Sequence, residues 1–378
     1  MLLLATKVWE QRKLENLSEH KSGTSIEKYF SSDGLYKVIS IGSYGLNNEY
    51  IDQGIRAVKN KTTESKLVRS GQLTMVLNDK TANGNLIGRC LLISTDNEFI
   101  VNQRTEIIIP GPDLNGNYAY YYLNGPFRSK VKRIAQGGTQ IYVNYSSVKK
   151  QKINYPIKDE QIKISKLLKI IKKLITLYEK KKQLLTQLKQ GIVNFLITKN
   201  GQKPQLRFSG FNNNWESKSF EKLLNYEQPT KYIVKKADYI SQGTPVLTAN
   251  KSFVLGYTNE TNVYQNIPAI IFDDFTLESK YVDFPFMVKS SAIKILTSEN
   301  SNLFFIYQLL NNQRFVQEGH SRHYISVVQK KKVLVPSIQE QNKISDLIKQ
   351  LEDNIELNSN TIVLLKKLKE FLLQSMFL

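Results

Sequence analysis

The sequence predicts an α+β protein built as a repeat: two β-rich domains, each followed by a long helix, with the two helices pairing inside one chain as a coiled coil. Three observations carry this. A stretch of the chain occurs twice, since residues 153–195 and 333–375 align without a gap, setting Pro156 on Pro336, Glu160-Gln161 on Glu340-Gln341, Lys163-Ile164-Ser165 on Lys343-Ile344-Ser345 and Leu184-Leu185 on Leu364-Leu365. Both copies space their apolar residues by three and four, as one face of a helix requires. The sequence ahead of each copy breaks into short apolar runs between turn residues, the pattern of strands.

The first β-rich domain covers residues 1–152. Lys37-Val38-Ile39-Ser40-Ile41, Gln72-Leu73-Thr74-Met75-Val76-Leu77, Cys90-Leu91-Leu92-Ile93 and Glu106-Ile107-Ile108-Ile109-Pro110 read as strands, with Gly42-Ser43-Tyr44-Gly45 and Asn78-Asp79 as turns. The first repeat helix occupies 153–200. Its seam is Ile164, Leu168, Ile171, Ile175, Tyr178, Leu185, Leu188 and Ile192, with Lys182 filling one slot. About 36 residues rising 1.5 Å each make a rod of roughly 55 Å, and a rod that long with one apolar seam wants a partner. The other copy is the nearest candidate.

Residues 198–204 read as a linker into the second domain, 201–332. There Trp215-Glu216 echoes Trp9-Glu10, so the repeating unit is a whole domain plus its helix. Pro245-Val246-Leu247-Thr248, 253–258, Ala269-Ile270-Ile271-Phe272 and Pro285-Phe286-Met287-Val288 read as strands, and 302–310 as a short helix. The second repeat helix, 333–378, has its seam at Ile344, Ile348, Leu351, Ile355, Ile362, Leu365, Leu368 and Leu372. Asn358 falls on that seam, where a buried polar residue fixes register at a cost in stability. Between their shared ends the two domains have little sequence in common, which points to two different ligands.

A net charge of +20, from 53 Lys+Arg against 33 Asp+Glu, argues for a polyanionic partner. One cysteine, Cys90, leaves no internal disulfide framework, and three histidines leave little for a metal centre, so no metal and no cofactor are expected. The first residues, MLLLATKVWEQRK, are too short an apolar run for a signal or a membrane span, and the protein reads as cytoplasmic, with no membrane partner.

The loops mix amide, hydroxyl and guanidinium side chains suited to base edges and phosphates, and equally to any wet loop. Chosen for type and loop position, the candidate DNA-binding residues are Ser43, Tyr44, Asn47, Arg69, Asn102, Gln103, Arg104, Lys251, Tyr257, Thr258, Arg322 and His323. Catalysis has a weaker footprint. Asp274, Glu278 and Lys280 are the residue types of a magnesium nuclease, but Glu-x-Lys is common in a lysine-rich chain. Neither a phosphate loop, nor the Asn-Pro-Pro-aromatic tetrad that holds a target amine, nor a GxGxxG loop is present. The sequence therefore reads as non-enzymatic. A Mg-dependent nuclease using those three residues, or a basic coiled-coil scaffold protein, stays open beside a DNA reader.

The elements Pro156/Glu160-Gln161-x-Lys163-Ile164 and Pro336/Glu340-Gln341-x-Lys343-Ile344, with Leu206-Arg207-Phe208-x-Gly210-Phe211 and Trp215-Glu216, resemble the specificity (S) subunit of type I restriction-modification systems. The resemblance runs over essentially the whole chain. It implies two target-recognition domains separated by two long antiparallel helices, a pseudo-two-fold repeat. Each domain would read one half of an asymmetric, gapped site in double-stranded DNA. It further implies that the helices dock two methyltransferase (M) subunits, which use S-adenosylmethionine, and that restriction (R) translocase-endonuclease subunits join for cleavage. The helix positions expected to serve spacing and docking are Glu160, Gln161, Ile164, Leu168, Ile171, Glu340, Gln341, Ile344, Ile348 and Leu351. One departure stands out: ahead of Trp9 the Leu-Arg-Phe-x-Gly-Phe lead-in is replaced by Met1 to Lys7.

Overall fold

The computed structural model describes residues 9–81, 83–197, 203–236, 238–250, 252–315 and 323–377. The linker over 198–202 and the candidates Lys251 and Arg322 lie outside the described residues. The chain divides into two compact units, Met1–Tyr178 with Thr361–Leu378, and Glu179–Asn360. Each unit therefore takes part of both long helices, which run over Lys158–Leu196 and Ile338–Ser375.

Unit 1 opens on a two-stranded antiparallel ribbon that joins Glu10–Lys13 to Lys152–Tyr155. Behind it an antiparallel sheet orders Ser18–Ser22, Thr105–Pro110, Leu73–Val76 and Cys90–Leu92. A second sheet pairs Tyr36–Ile39 in parallel with Phe99–Val101. The expected strands are thus present with ends shifted by one or two residues, whereas Asn78–Asp79, expected as a turn, is a short strand paired with Ile141–Tyr142. Two adjoining helices, Gly116–Asn124 and Pro126–Ile134, have no counterpart in the sequence reading. The first of them buries Tyr118, Tyr120, Tyr121, Tyr122 and Leu123. Burial on nearly every side erases the 3.6-residue period that would have betrayed it.

Unit 2 repeats this plan with other residues. Glu216–Ser219 pairs with Lys332–Val335, and a four-stranded antiparallel sheet orders Asn225–Glu227, Ile293–Thr297, Ala269–Asp273 and Ser279–Val282. The helix Leu303–Asn311 packs its Phe305, Ile306 and Leu309 into the core, and the Asn302 side chain caps it by accepting the Phe305 N–H at 3.0 Å.

Within unit 1, Ile164, Leu168, Ile171 and Ile175 of the first long helix share one core with Leu372 and Phe377, and Leu365 packs against it. Within unit 2, Val193, Leu196 and Ile197 share a core with Ile344 and Ile348. The early part of each long helix meets the late part of the other, which is the antiparallel pairing expected. Four residues before each proline form a strand and not helix, so the helices start at Lys158 and Ile338. Two seam positions are also corrected. Leu188 and Leu368 are 51% and 44% exposed, while Val193 and Leu372 are buried. A seven-residue repeat drifts about 20° per heptad on a straight helix, so the buried face moves off those leucines. Asn358 is buried as expected; its amide donates to the Asn354 carbonyl, and its side-chain oxygen finds no partner among the described residues.

Candidate nucleic-acid interface

The shared Glu-Gln pair is a clamp that fastens each long helix to its domain. In unit 1 the buried Gln161 accepts the Asn115 N–H at 2.8 Å and donates to the Pro156 and Asp113 carbonyls. Asn115 in turn caps the helix Gly116–Asn124. Unit 2 repeats the arrangement: Gln341 accepts the Asn302 N–H at 2.9 Å and donates to the Pro336 carbonyl. One amide side chain thus joins the start of a long helix to the capping residue of a domain helix. The glutamates bind the tryptophans of the Trp-Glu echo. Trp9 Nε1–H donates to Glu160 at 3.3 Å and Trp215 Nε1–H to Glu340 at 3.2 Å. Both sit in the first turn of a helix, where the macrodipole favours a carboxylate. Among the described residues only unit 2 adds a guanidinium: Arg207 Nε and Nη2 donate to the two Glu340 oxygens at 3.0 and 2.8 Å, and the pairing raises the Arg207 pKa.

Of the residues expected at DNA, five are committed inside the fold. Ser43 is fully buried and caps a short turn, exchanging hydrogen bonds with Ser40. Tyr44 is buried with its hydroxyl on Thr74. Asn102 accepts the Ile26 N–H and donates to Glu27. Thr258 accepts the Glu260 N–H from a buried position, and His323, 2% exposed, lies against the Asp274 carbonyl. These side chains hold loops in shape, and Thr258 also lines the groove of unit 2. Asn47, Arg69, Gln103, Arg104 and Tyr257 are exposed.

Gln103 and Arg104 come together at the rim of a groove in unit 1, with a volume of about 680 Å³, whose wall also carries His20, Glu106, Asn144 and Lys149. Arg104 has φ 64°, a left-handed conformation rare for arginine, at the turn that carries its side chain out. The turn is braced by Glu27, which accepts from Asn102 at 2.9 Å and Gln103 at 3.0 Å. Hydrogen bonds from Ser25 and Asn102 hold its carboxyl down to about 2. On the groove floor, His20 Nδ1 lies 2.6 Å from the buried Glu106 carboxylate, which also accepts from Ser22. The rim therefore mixes cations for phosphate with amides able to read base edges. Asn47 and Arg69 stand on other loops.

Unit 2 carries a groove of about 470 Å³ between Lys235-Lys236 and the loop Asn259–Asn262. Glu260 braces it by accepting the N–H groups of Lys235 and Lys236 at 3.0 and 3.1 Å. The groove's exposed lysines and asparagines, like His20, Asn144 and Lys149 in unit 1, are groove residues that the sequence reading did not single out. The adjacent lysines were a signal that went unused.

The nuclease candidates do not converge. Asp274 accepts the Tyr324 N–H at 2.8 Å and faces Lys294 Nζ at 3.4 Å, both side chains 2% exposed. Its carboxylate is spent on a buried ion pair. Glu278 projects from an exposed turn and Lys280 pairs along a strand opposite Ile271. Among the described residues no three acidic, histidine or cysteine side chains gather as a metal site, and no helix is long and apolar enough to cross a membrane.

The long helices keep a second row of apolar residues on the outside. Unit 1 exposes Ile170 and Leu177 with Leu364, Leu368 and Phe371; unit 2 exposes Leu184, Leu188 and Phe195 with Leu357. The positions 177, 184 and 188 recur in the repeat as 357, 364 and 368. Ile164, Leu168, Ile171, Ile344 and Ile348 are buried in helix pairing, whereas Leu351 is half-buried.

Two β-rich units of one plan, each on a clamped copy of the repeated helix, define a duplicated α+β scaffold. The chain belongs to the type I restriction modification DNA specificity domain family, whose model matches residues 6–187 and again 212–367. It is 50% identical over 123 residues to the EcoR124I/EcoR124II specificity subunit of Escherichia coli, a match spanning 30% of this chain and 30% of that protein. With the MjaIX specificity subunit of Methanocaldococcus jannaschii it shares 23% identity, over 97% of this chain and 92% of that one. In fold it is similar to the crystal structure of a type I S subunit from M. genitalium, with TM-score 0.66 at 16% identity, covering 100% of this chain and 98% of the other.

Proposed function

We propose that this chain is the DNA-reading subunit of a type I restriction-modification assembly and carries out no chemistry itself. Each unit reads one half of an asymmetric, gapped site in double-stranded DNA, and the helices set the gap. The observation that carries this reading is the duplicated clamp, which holds two domains of one plan but different groove residues. Lysine and arginine at the groove rims supply a salt-dependent attraction that is blind to sequence, and Gln103, Arg104, Asn259 and Asn262 supply the selection. Binding two half-sites through one scaffold raises affinity by effective concentration.

The exposed leucine rows favour docking of partner helices, since an apolar stripe of this extent on a helix calls for cover. Their recurrence once in each unit fits two methyltransferase subunits, which bring S-adenosylmethionine; restriction subunits complete the assembly, in the cytoplasm. The test is a map of methylated adenines in cells carrying the partner methyltransferase, with and without this gene. A gapped, asymmetric motif present only with the gene is the expected result. Identical maps in the two strains would overturn the proposal.

A further inference from the structure

The groove of unit 1 has a carboxylate–imidazole pair on its floor. His20 and Ser22 stand two apart on the edge strand Ser18–Ser22, so they share a face of the sheet, and Ser22 lies opposite Glu106 on the neighbouring strand. Register brings both to the buried Glu106 carboxylate. His20 Nδ1 is 2.6 Å from one of its oxygens, and the Ser22 hydroxyl donates to the same oxygen at 3.1 Å. The imidazole leans on the buried ring of Tyr145, with 4.8 Å between centroids. One nitrogen and one ring face are thus held, while the side chain stays 36% exposed in the groove. Among the described residues Nε2 has no partner. The strand is also fastened to the turn that carries Gln103 and Arg104. Gly23 N–H donates to the Thr105 carbonyl at 2.9 Å, and a Cβ on Gly23 would strike the Asn102 carbonyl oxygen at 2.0 Å. His20 therefore keeps a set position relative to the two rim residues.

We propose that His20 reads a base of the half-site met by unit 1, with Nε2 as the reading atom and Glu106 as the residue that positions it. The inference rests on the DNA-reading function proposed above. An ionised carboxylate only accepts, so the hydrogen between it and the ring sits on Nδ1, and the neutral imidazole keeps its lone pair on Nε2. In the major groove the groups able to donate to that lone pair are exocyclic amino groups, N6 of adenine and N4 of cytosine. Guanine and thymine present acceptors there, and would set one lone pair against another. A freely turning histidine could serve either class of base. One held by a carboxylate and a tyrosine face serves the first.

Two amide replacements separate this role from packing. Asparagine sets an amide near the place of Nδ1 and can still donate to Glu106, but it ends short of Nε2; glutamine reaches the Nε2 position with an oxygen. In methylation maps made with the partner methyltransferase, His20→Asn is expected to relax one position in one half of the motif, a position held by adenine or cytosine in the wild-type map. The preference there over mismatched bases should fall about tenfold. His20→Gln should restore part of it. Glu106→Gln, whose amide can donate to Nδ1 and so move the ring proton to Nε2, should weaken the preference at that same position and at no other. Thermal melting of the purified chains establishes folding, and the part-exposed His20 variants decide the matter where Glu106→Gln unfolds. An unchanged motif with His20→Asn overturns the proposal. So does an equal loss over all sites, which marks a phosphate contact or a packing role, and so does relaxation at guanine or thymine. A wild-type chain that directs no gapped motif fails earlier, and takes the DNA-reading function with it.

Discussion

The two units solve one mechanical problem with different amounts of buried charge. Both tie a long helix to a domain through a glutamine on a capping asparagine and a glutamate on a tryptophan. Among the described residues unit 2 sets Arg207 on Glu340 and Lys294 on Asp274, whereas unit 1 has Trp9 alone on Glu160 and sets its buried Glu106 against the part-exposed His20. The agreement marks what the scaffold needs, and the difference marks what each unit is free to change. Burying an ion pair brings little net stability, but once it is built neither partner can leave alone. Unit 2 is therefore the more brittle of the two to charge-removing substitutions.

The strongest way to break this comparison is Lys294→Met. It strands Asp274 in the core and should cost unit 2 about 3–5 kcal/mol, read as lost hydrogen-exchange protection over Ala269–Asp273 and Ile293–Thr297. Protection of Leu73–Val76 in unit 1 should hold; a uniform loss over both units would show that they do not differ as argued. Arg207→Ala is a milder probe, because Arg207 is 24% exposed and Trp215 still reaches Glu340. A destabilisation of about 2–3 kcal/mol is expected by urea denaturation. The smallest effect is at the groove. Arg104→Ala should leave folding intact and relax one half of the methylated motif, at about 1–3 kcal/mol for the base concerned. If instead all sequences weaken alike, Arg104 touches phosphate.

What the sequence made legible follows from period and repetition. The helix seams could be read because apolar residues returned every three or four positions, down to the buried Asn358. The helix Gly116–Asn124 could not, since its run of tyrosines is buried too evenly to show a stripe. The Trp-Glu echo was visible, yet its purpose was not: Trp9 meets Glu160 across 151 residues, and only the folded chain brings them together. The candidate site fared worse than the fold for a physical reason. Serine, asparagine and tyrosine in a loop look alike whether they face solvent or hold the turn, and Ser43, Tyr44 and Asn102 hold the turn. Gln103 and Arg104 differ from Asn102 only in which way the backbone points them.

The ribbon at the base of each unit has a consequence for how such a protein changes over generations. Glu10 lies opposite Tyr155 and Glu216 opposite Val335, so the stretch between begins and finishes on neighbouring strands. Strands in a ribbon are about 4.8 Å apart. Any insert whose two ends come that close fits the same holder, and the clamp residues, which hold the long helix in place, need not change with most of it. Under the proposed function the stretch is in effect a cartridge, and exchange at its two adjacent seams writes a new address without rebuilding the reader.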